Sequence, residues 1–193
     1  EKNQKEKKLK ILQEFINKLK PNKIIDLGCN DGYYSIESLK LDCKSAVGVD
    51  FDPNAINQAY KNSKSIEKSF LPLYMDFMNP SSNLGWNEKE RYSFLERANF
   101  DCVVAFAFEH HLSIANNVPL EQTINWILKI AKKGLIEFVS KEDFTIQNML
   151  SVKGDIFPDY NKENFEYIIN KKANIIKVNE ITNTRVIYEF EVK

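Results

Sequence analysis

The stretch Lys23-Ile-Ile-Asp-Leu-Gly-Cys-Asn-Asp-Gly32, answered by Ala46-Val-Gly-Val-Asp50, constrains the fold of this chain more than any other. A short apolar run leads into a glycine-bearing turn, and a helical pattern follows with Tyr33, Ile36 and Leu39. The second apolar run ends on a carboxylate. Strand, turn, helix, strand and acid make the first half of a mononucleotide-binding fold, whose ligands sit beyond the carboxyl ends of the strands. The turn's own residues narrow the ligand. A pyrophosphate rests on bare backbone N–H groups at a helix N-terminus, and Asp26 and Asp31 at this turn would repel it. They suit a phosphate-free ligand that carries positive charge.

The rest of the chain extends that start. Residues 1–8 are charged and are expected to fray. Leu9, Leu12, Phe15, Ile16 and Leu19 recur at helical spacing until Pro21. Pro53 opens a helix carrying Ala55, Ile56, Ala59 and Tyr60, and Leu71–Met75 reads as a third strand. Asn79-Pro-Ser-Ser-Asn83 is loop, and a helix is expected from Asn87 to Ala98. The unbroken apolar run Cys102–Phe108 reads as a strand buried on both faces. Pro119 then opens a helix that Gly134 ends, and Leu135–Val139 forms the fifth strand. Two more helices, Asp143–Leu150 and Glu163–Ile169, precede alternating runs at Ile175–Ile181 and Arg185–Val192, which meet across Thr182-Asn183-Thr184. The expectation is an α/β, Rossmann-like, mostly parallel seven-stranded sheet with helices on both faces and a C-terminal antiparallel hairpin. Residues 1–21 form an N-terminal helix covering the ligand pocket, and 22–193 a single domain.

Composition bounds the partners. Lysine plus arginine equals aspartate plus glutamate, so no global basic field gathers nucleic acid. No apolar run approaches the roughly 20 residues that span a bilayer, and no signal-peptide pattern opens the chain. Cys29, Cys43 and Cys102 are odd in number and lack metal spacing, which points to reduced thiols and a cytoplasmic setting. A start at Glu1 rather than Met fits a trimmed chain or part of a larger polypeptide.

Asp26-Leu-Gly28-x-x-x-Gly32 resembles the first motif of the class I S-adenosylmethionine-dependent methyltransferases. The resemblance implies S-adenosyl-L-methionine, whose ammonium and sulfonium answer the acidic turn. It implies that Gly28 and Gly32 let the backbone close on the amino-acid end of that cofactor, with Asn30 standing where a middle glycine is usual. Asp50 would grip both ribose hydroxyls, with Asp52 as a nearby alternative. Asp76 would bond the adenine amino group, and the aromatic neighbours Phe51, Phe77 and Phe106 complete the expected cofactor set.

Methyl transfer to an alcohol needs a base. Glu109-His110-His111 follows the fourth strand and contains both histidines of the chain. Successive side chains of an extended segment point oppositely, so one histidine faces the pocket. His110 is favoured, with His111 next, and the competing expectation is that both brace the loop. A divalent metal cluster is disfavoured because no third histidine exists. Gly85-Trp86, Glu90-Arg91, Ser93-Phe94-Leu95, His110-His111-Leu112, Val118-Pro119-Leu120 and Ile136-Glu137-Phe138-Val139 look like a nodulation-type subgroup of the family that accompanies polysaccharide or glycolipid biosynthesis. That implies O-methylation of a sugar or other small hydroxyl compound. The alternatives are an N- or protein methyltransferase, or a non-catalytic cofactor-binding domain; a nicotinamide dehydrogenase stands third because the turn lacks its second glycine. Trp86, Glu90 and Arg91 are expected to floor the acceptor pocket or to sit on an amphipathic helix. Glu137, in an apolar strand, needs a partner such as Arg91 or Lys141.

Overall fold

The computed structural model describes residues 2–193. Helix α1 (Lys2–Leu19) precedes β1 (Lys23–Leu27), α2 (Tyr33–Lys40), β2 (Ser45–Asp50), α3 (Pro53–Ser63) and β3 (Ser69–Tyr74). A 3-10 turn (Trp86–Glu88) and the short α4 (Phe94–Arg97) lead to β4 (Cys102–Ala105). A π-helical turn (His111–Ala115), α5 (Leu120–Ile130), β5 (Lys133–Val139), α6 (Phe144–Lys153), α7 (Lys162–Lys172), β6 (Ala173–Thr182) and β7 (Arg185–Val192) complete the chain.

The seven strands form one sheet in the order β3-β2-β1-β4-β5-β7-β6. The first five run parallel, and β7 inserts antiparallel between β5 and β6. Chain order reverses between β1 and β4, so the crevice beyond their carboxyl ends is the topological switch point where such sheets bind ligands. Alternation along the buried strands feeds two cores. Ile25, Leu27, Val103 and Ala105 pack with α5 and α7 on one face, while Ile24, Cys102 and Val104 pack with α1 and α2 on the other.

Four local expectations needed correction. The charged N-terminus is helical from Lys2 rather than frayed, and Glu1 lies outside the described residues. Leu12, Phe15 and Ile16 are buried against the sheet, and at about 1.5–3 kcal/mol per large apolar side chain they fix the helix that carries them. The helix expected over Asn87–Ala98 is broken: Asn87 takes φ +54° and Ser93 starts a new helix with a capping box to Glu96. The strand expected to reach Phe108 ends at Ala105, since Ala107 turns to φ +49°. Gly134 lies inside β5, pairing with Phe190, and α5 stops at Ile130.

Candidate functional site

Asp26 is the last but one residue of β1, paired with Gly48 across the sheet and with Val104 on the other side. The chain beyond it turns sharply. Gly28 and Asn30 take φ +70° and +49°, and the Gly28 and Cys29 N–H groups donate to the Val49 carbonyl at 2.9 and 3.1 Å. Glycine meets no Cβ penalty there and asparagine tolerates the left-handed region. Asp50 ends β2 and receives the Asn30 N–H on Oδ2 at 2.8 Å and the Asp52 N–H on Oδ1 at 3.0 Å. One carboxylate thus ties both loops together at the switch point. Asp52 is occupied differently: its side chain caps α3 by accepting from Asn54 N–H at 2.8 Å.

These loops open onto a cavity of about 710 Å³, a size suited to a nucleoside-sized ligand. Gly28, Asn30, Asp50, Phe51, Asp76, Phe77 and Phe106 all line it. Asp26 and Asp31 line a narrower cleft of about 330 Å³ that shares Lys8, Gly28, Asn30, Tyr34 and Phe106 with the cavity and adds Lys5. Gly32 lines neither space. A Cβ on it would stand 2.6 Å from the Phe70 ring, so its bareness serves packing of the turn on β3.

The electrostatics of this lining are lopsided. Among the described residues, none of Asp26, Asp31, Asp50, Asp52 and Asp76 pairs with a lysine or arginine. Burial pushes the Asp26 carboxyl up to about 7, against the Ser35 hydroxyl, which donates to it at 2.8 Å. A buried acid without a counter-charge is stabilised by a cationic ligand. A pyrophosphate would meet carboxylates instead. The donor set therefore fits a phosphate-free, positively charged nucleoside.

The Glu109-His110-His111 triplet separates on folding. Residues 109–115 are helical rather than extended, so the expected alternation does not apply. His111 lines the cavity. His110, the favoured base, is buried behind it, with Nδ1 free of any hydrogen-bond partner. Burial first, then the neighbouring His111 and Arg185, push His110 down to about 3. The two rings sit 4.5 Å apart. Burial also lowers His111, while the charge of Asp50 works the other way. Glu109 is fully buried and away from the cavity, 2.6 Å from the Tyr160 hydroxyl. Burial raises its carboxyl to about 8, so at neutral pH it carries a proton. Tyr160 in turn donates to the Val139 carbonyl at 2.8 Å.

Glu137 takes neither expected partner. Its Oε2 accepts from Lys8 Nζ at 2.6 Å and from Ala107 N–H at 2.7 Å, and Arg185 lies 3.6 Å from Oε1. Trp86, Glu90 and Arg91 do not line the cavity. Leu84 and Arg91 bridge to close a loop that leaves Trp86 85% exposed.

Sequence reasoning missed Lys8, Tyr34, Ala55, Met78, Ala107, Phe108, Leu112, Ala115 and Asn116 in the lining. Lys8 left a trace: it falls four residues before Leu12, a charge on the apolar stripe of α1.

A family model described as ribosomal protein L11 methyltransferase (PrmA) matches residues 6–105, more than half of the chain. The chain is 47% identical over 179 residues to nodulation protein NoeA of Rhizobium meliloti (strain 1021), covering 92% of this chain and 38% of that protein. It therefore spans about two fifths of that relative's length. Among solved structures, N-methyltransferase NodS from Bradyrhizobium japonicum WM9 in complex with S-adenosyl-L-homocysteine shares the fold with a TM-score of 0.66 at 14% identity, over 96% of this chain and 84% of that one. The methyltransferase domain of bacterial CtHen1-C gives the same score at 13% identity, over 98% of both chains.

Proposed function

Because the chain belongs to the class I S-adenosyl-L-methionine-dependent methyltransferases, in the family matched over residues 6–105, we propose that it transfers a methyl group from that cofactor to a hydroxyl of a sugar or another small acceptor. The observation that carries the reading is the acidic lining at the switch point, where five aspartates outnumber Lys5 and Lys8 and none of the five forms an ion pair among the described residues, with neutral-leaning His111 on the same cavity. S-adenosyl-L-methionine, when bound, supplies an electrophilic methyl on a sulfonium that is already a good leaving group. Asp50 grips the ribose, Asp76 and Phe77 meet the adenine, and Asp26 and Asp31 face the ammonium end. Phe77, Phe106 and Phe108 exclude water from the floor. His111 accepts the acceptor's proton, a task that suits an imidazole held neutral below its ordinary pKa. His110 and Glu109 support that turn from behind.

The acceptor reading rests on the 47% identity to a nodulation protein and on a chain with zero net charge, which favours a small or glycan acceptor over nucleic acid. No helix among the described residues is long and apolar enough to cross a membrane. A cytoplasmic setting and a role in polysaccharide biosynthesis belong to the same reading. An amine acceptor is the second reading, since NodS is an N-methyltransferase and the same base would deprotonate an ammonium. The test is transfer of labelled methyl from S-adenosyl-L-methionine to a panel of sugars, amino sugars and glycolipid precursors. Label in a methyl ether supports the proposal; label on nitrogen replaces it with the second reading. No transfer to any of them, with cofactor bound, supports a non-catalytic binding domain.

A further inference from the structure

Lys8 of α1, Glu137 of β5 and Ala107 after β4 meet at a single carboxylate oxygen. Glu137 Oε2 accepts from Lys8 Nζ at 2.6 Å and from the Ala107 N–H at 2.7 Å. Glu137 is fully buried, and its other oxygen, Oε1, accepts no hydrogen bond. Ala107 stands at φ +49°, a region that residues with a Cβ avoid. Its two aromatic neighbours, Phe106 and Phe108, line the cavity with it, and the Phe108 ring meets Phe77 edge to face at 4.6 Å. The backbone that shapes the cavity floor is therefore held in a strained conformation by a buried side chain, whose nearest counter-charge comes from the N-terminal helix.

We propose that Lys8 and Glu137 act together as a positioning latch for nucleoside binding. Lys8 compensates the carboxylate at the very oxygen that holds Ala107, while Arg185, 3.6 Å from Oε1, answers the other, and Glu137 then pins the Ala107 N–H so that Phe106–Phe108 keep the shape of the cavity. Docking of α1 and binding of the nucleoside are thereby coupled, although Glu137 touches no ligand. The inference rests on the nucleoside reading of the cavity. Its rival is a direct role: Lys8 lines both the cavity and the narrower cleft, from which its ammonium would pair with the carboxylate of the cofactor's amino-acid end.

Two probes separate these roles. S-adenosyl-L-homocysteine has the amino-acid end, and 5′-methylthioadenosine lacks it. Calorimetric titrations of wild type, Lys8→Met, Glu137→Gln and the double variant are paired with hydrogen exchange of the Ala107 amide, read by NMR. The latch predicts that Lys8→Met weakens both probes by the same factor, roughly tenfold, and speeds Ala107 exchange. It also predicts that Lys8→Met adds little in the Glu137→Gln background. Lys8→Arg, which keeps the cation, should retain both affinities, so misfolding of Lys8→Met does not stand in for a result. Loss of homocysteine-probe affinity with unchanged methylthioadenosine affinity overturns the latch in favour of direct pairing, and unchanged Ala107 exchange in Lys8→Met overturns it outright. If wild type binds neither probe, the methyltransferase reading fails while the Ala107 exchange still decides the latch.

Discussion

The Asp50 carboxylate and the Asn30 backbone are joined at 2.8 Å, so the acid that ends the second strand also fixes the turn after the first. Asn30 needs that support, because its φ of +49° lies in the left-handed region. The same bond orients Asp50 toward the cavity it lines. Ligand grip and turn geometry therefore depend on one side chain.

The neighbouring Gly28 is predicted to be intolerant of even one added carbon. Its φ of +70° disfavours a Cβ, which would also stand 3.2 Å from the Phe108 ring. Gly28→Ala should lose about 1–2 kcal/mol of stability, measured by urea unfolding. It should also weaken nucleoside binding, because Phe108 is pushed within the cavity wall.

The two histidines should part company on mutation. His111→Ala is expected to keep S-adenosyl-L-homocysteine affinity and to lower turnover by about 10²–10⁴-fold on any hydroxyl acceptor that the panel identifies. The rate of wild type should rise with pH below neutrality and then level, as His111 sheds its proton at a pKa below 6.5. His110→Ala should act on thermal stability instead, because that ring is buried off the cavity. Equal turnover in wild type and His111→Ala would remove the base.

Buried titrating groups should leave opposed marks on stability against pH. Folded Glu109 keeps its proton up to about 8, whereas the unfolded chain releases it near 4.5. The folded state thus holds more protons between those values, and stability falls as pH rises through that window. Folded His110 refuses a proton until about 3, whereas the unfolded chain takes one near 6.5. Stability from that group falls as pH drops from 6.5 toward 3. Glu109→Gln should flatten the first slope in part, since Asp26, raised to about 7, contributes in the same direction. His110→Gln should flatten the second. Urea midpoints from pH 4 to 8.5 measure both.

Trp86 is predicted to matter little to the fold or the cofactor. At 85% exposure it contributes no core contact, and Trp86→Ala should change stability by less than about 0.5 kcal/mol. Nucleoside affinity should stay at the wild-type value. A large loss in either, by urea unfolding or calorimetry, would mean that the Leu84–Arg91 loop folds onto the site.

What was legible in the sequence was whatever local pattern decides. The runs Lys23–Leu27 and Arg185–Val192 match their strands to the residue, because alternation or an unbroken apolar run is a short-range signal. Asp50 was legible as the acid that ends its strand for the same reason, whereas Asp76 lies two residues beyond β3, which runs Ser69–Tyr74 rather than to Met75. The failures share a cause in tertiary contact. Ala107 ends β4 early because Glu137, thirty residues on, captures its N–H. The helical turn after Phe108, rather than an extended segment, then hides His110 and leaves His111 on the cavity. Gly32 looked like a ligand-facing glycine, but what it meets is Phe70, on a third strand that begins two residues before the Leu71 of the sequence reading and whose contact with the turn no local pattern shows. Lys8 was overlooked because a lysine in a lysine-rich helix looks solvated until its partner across the sheet is known.

Calorimetric titration of the purified protein with S-adenosyl-L-homocysteine, repeated on Asp50→Ala and with a nicotinamide dinucleotide as control, tests the central claim most directly. The account predicts one-to-one binding by wild type, at least roughly tenfold weaker binding by Asp50→Ala from loss of a charge-assisted bidentate contact, and no heat with the dinucleotide. Absence of heat with S-adenosyl-L-homocysteine, or equal affinity in Asp50→Ala, would contradict it.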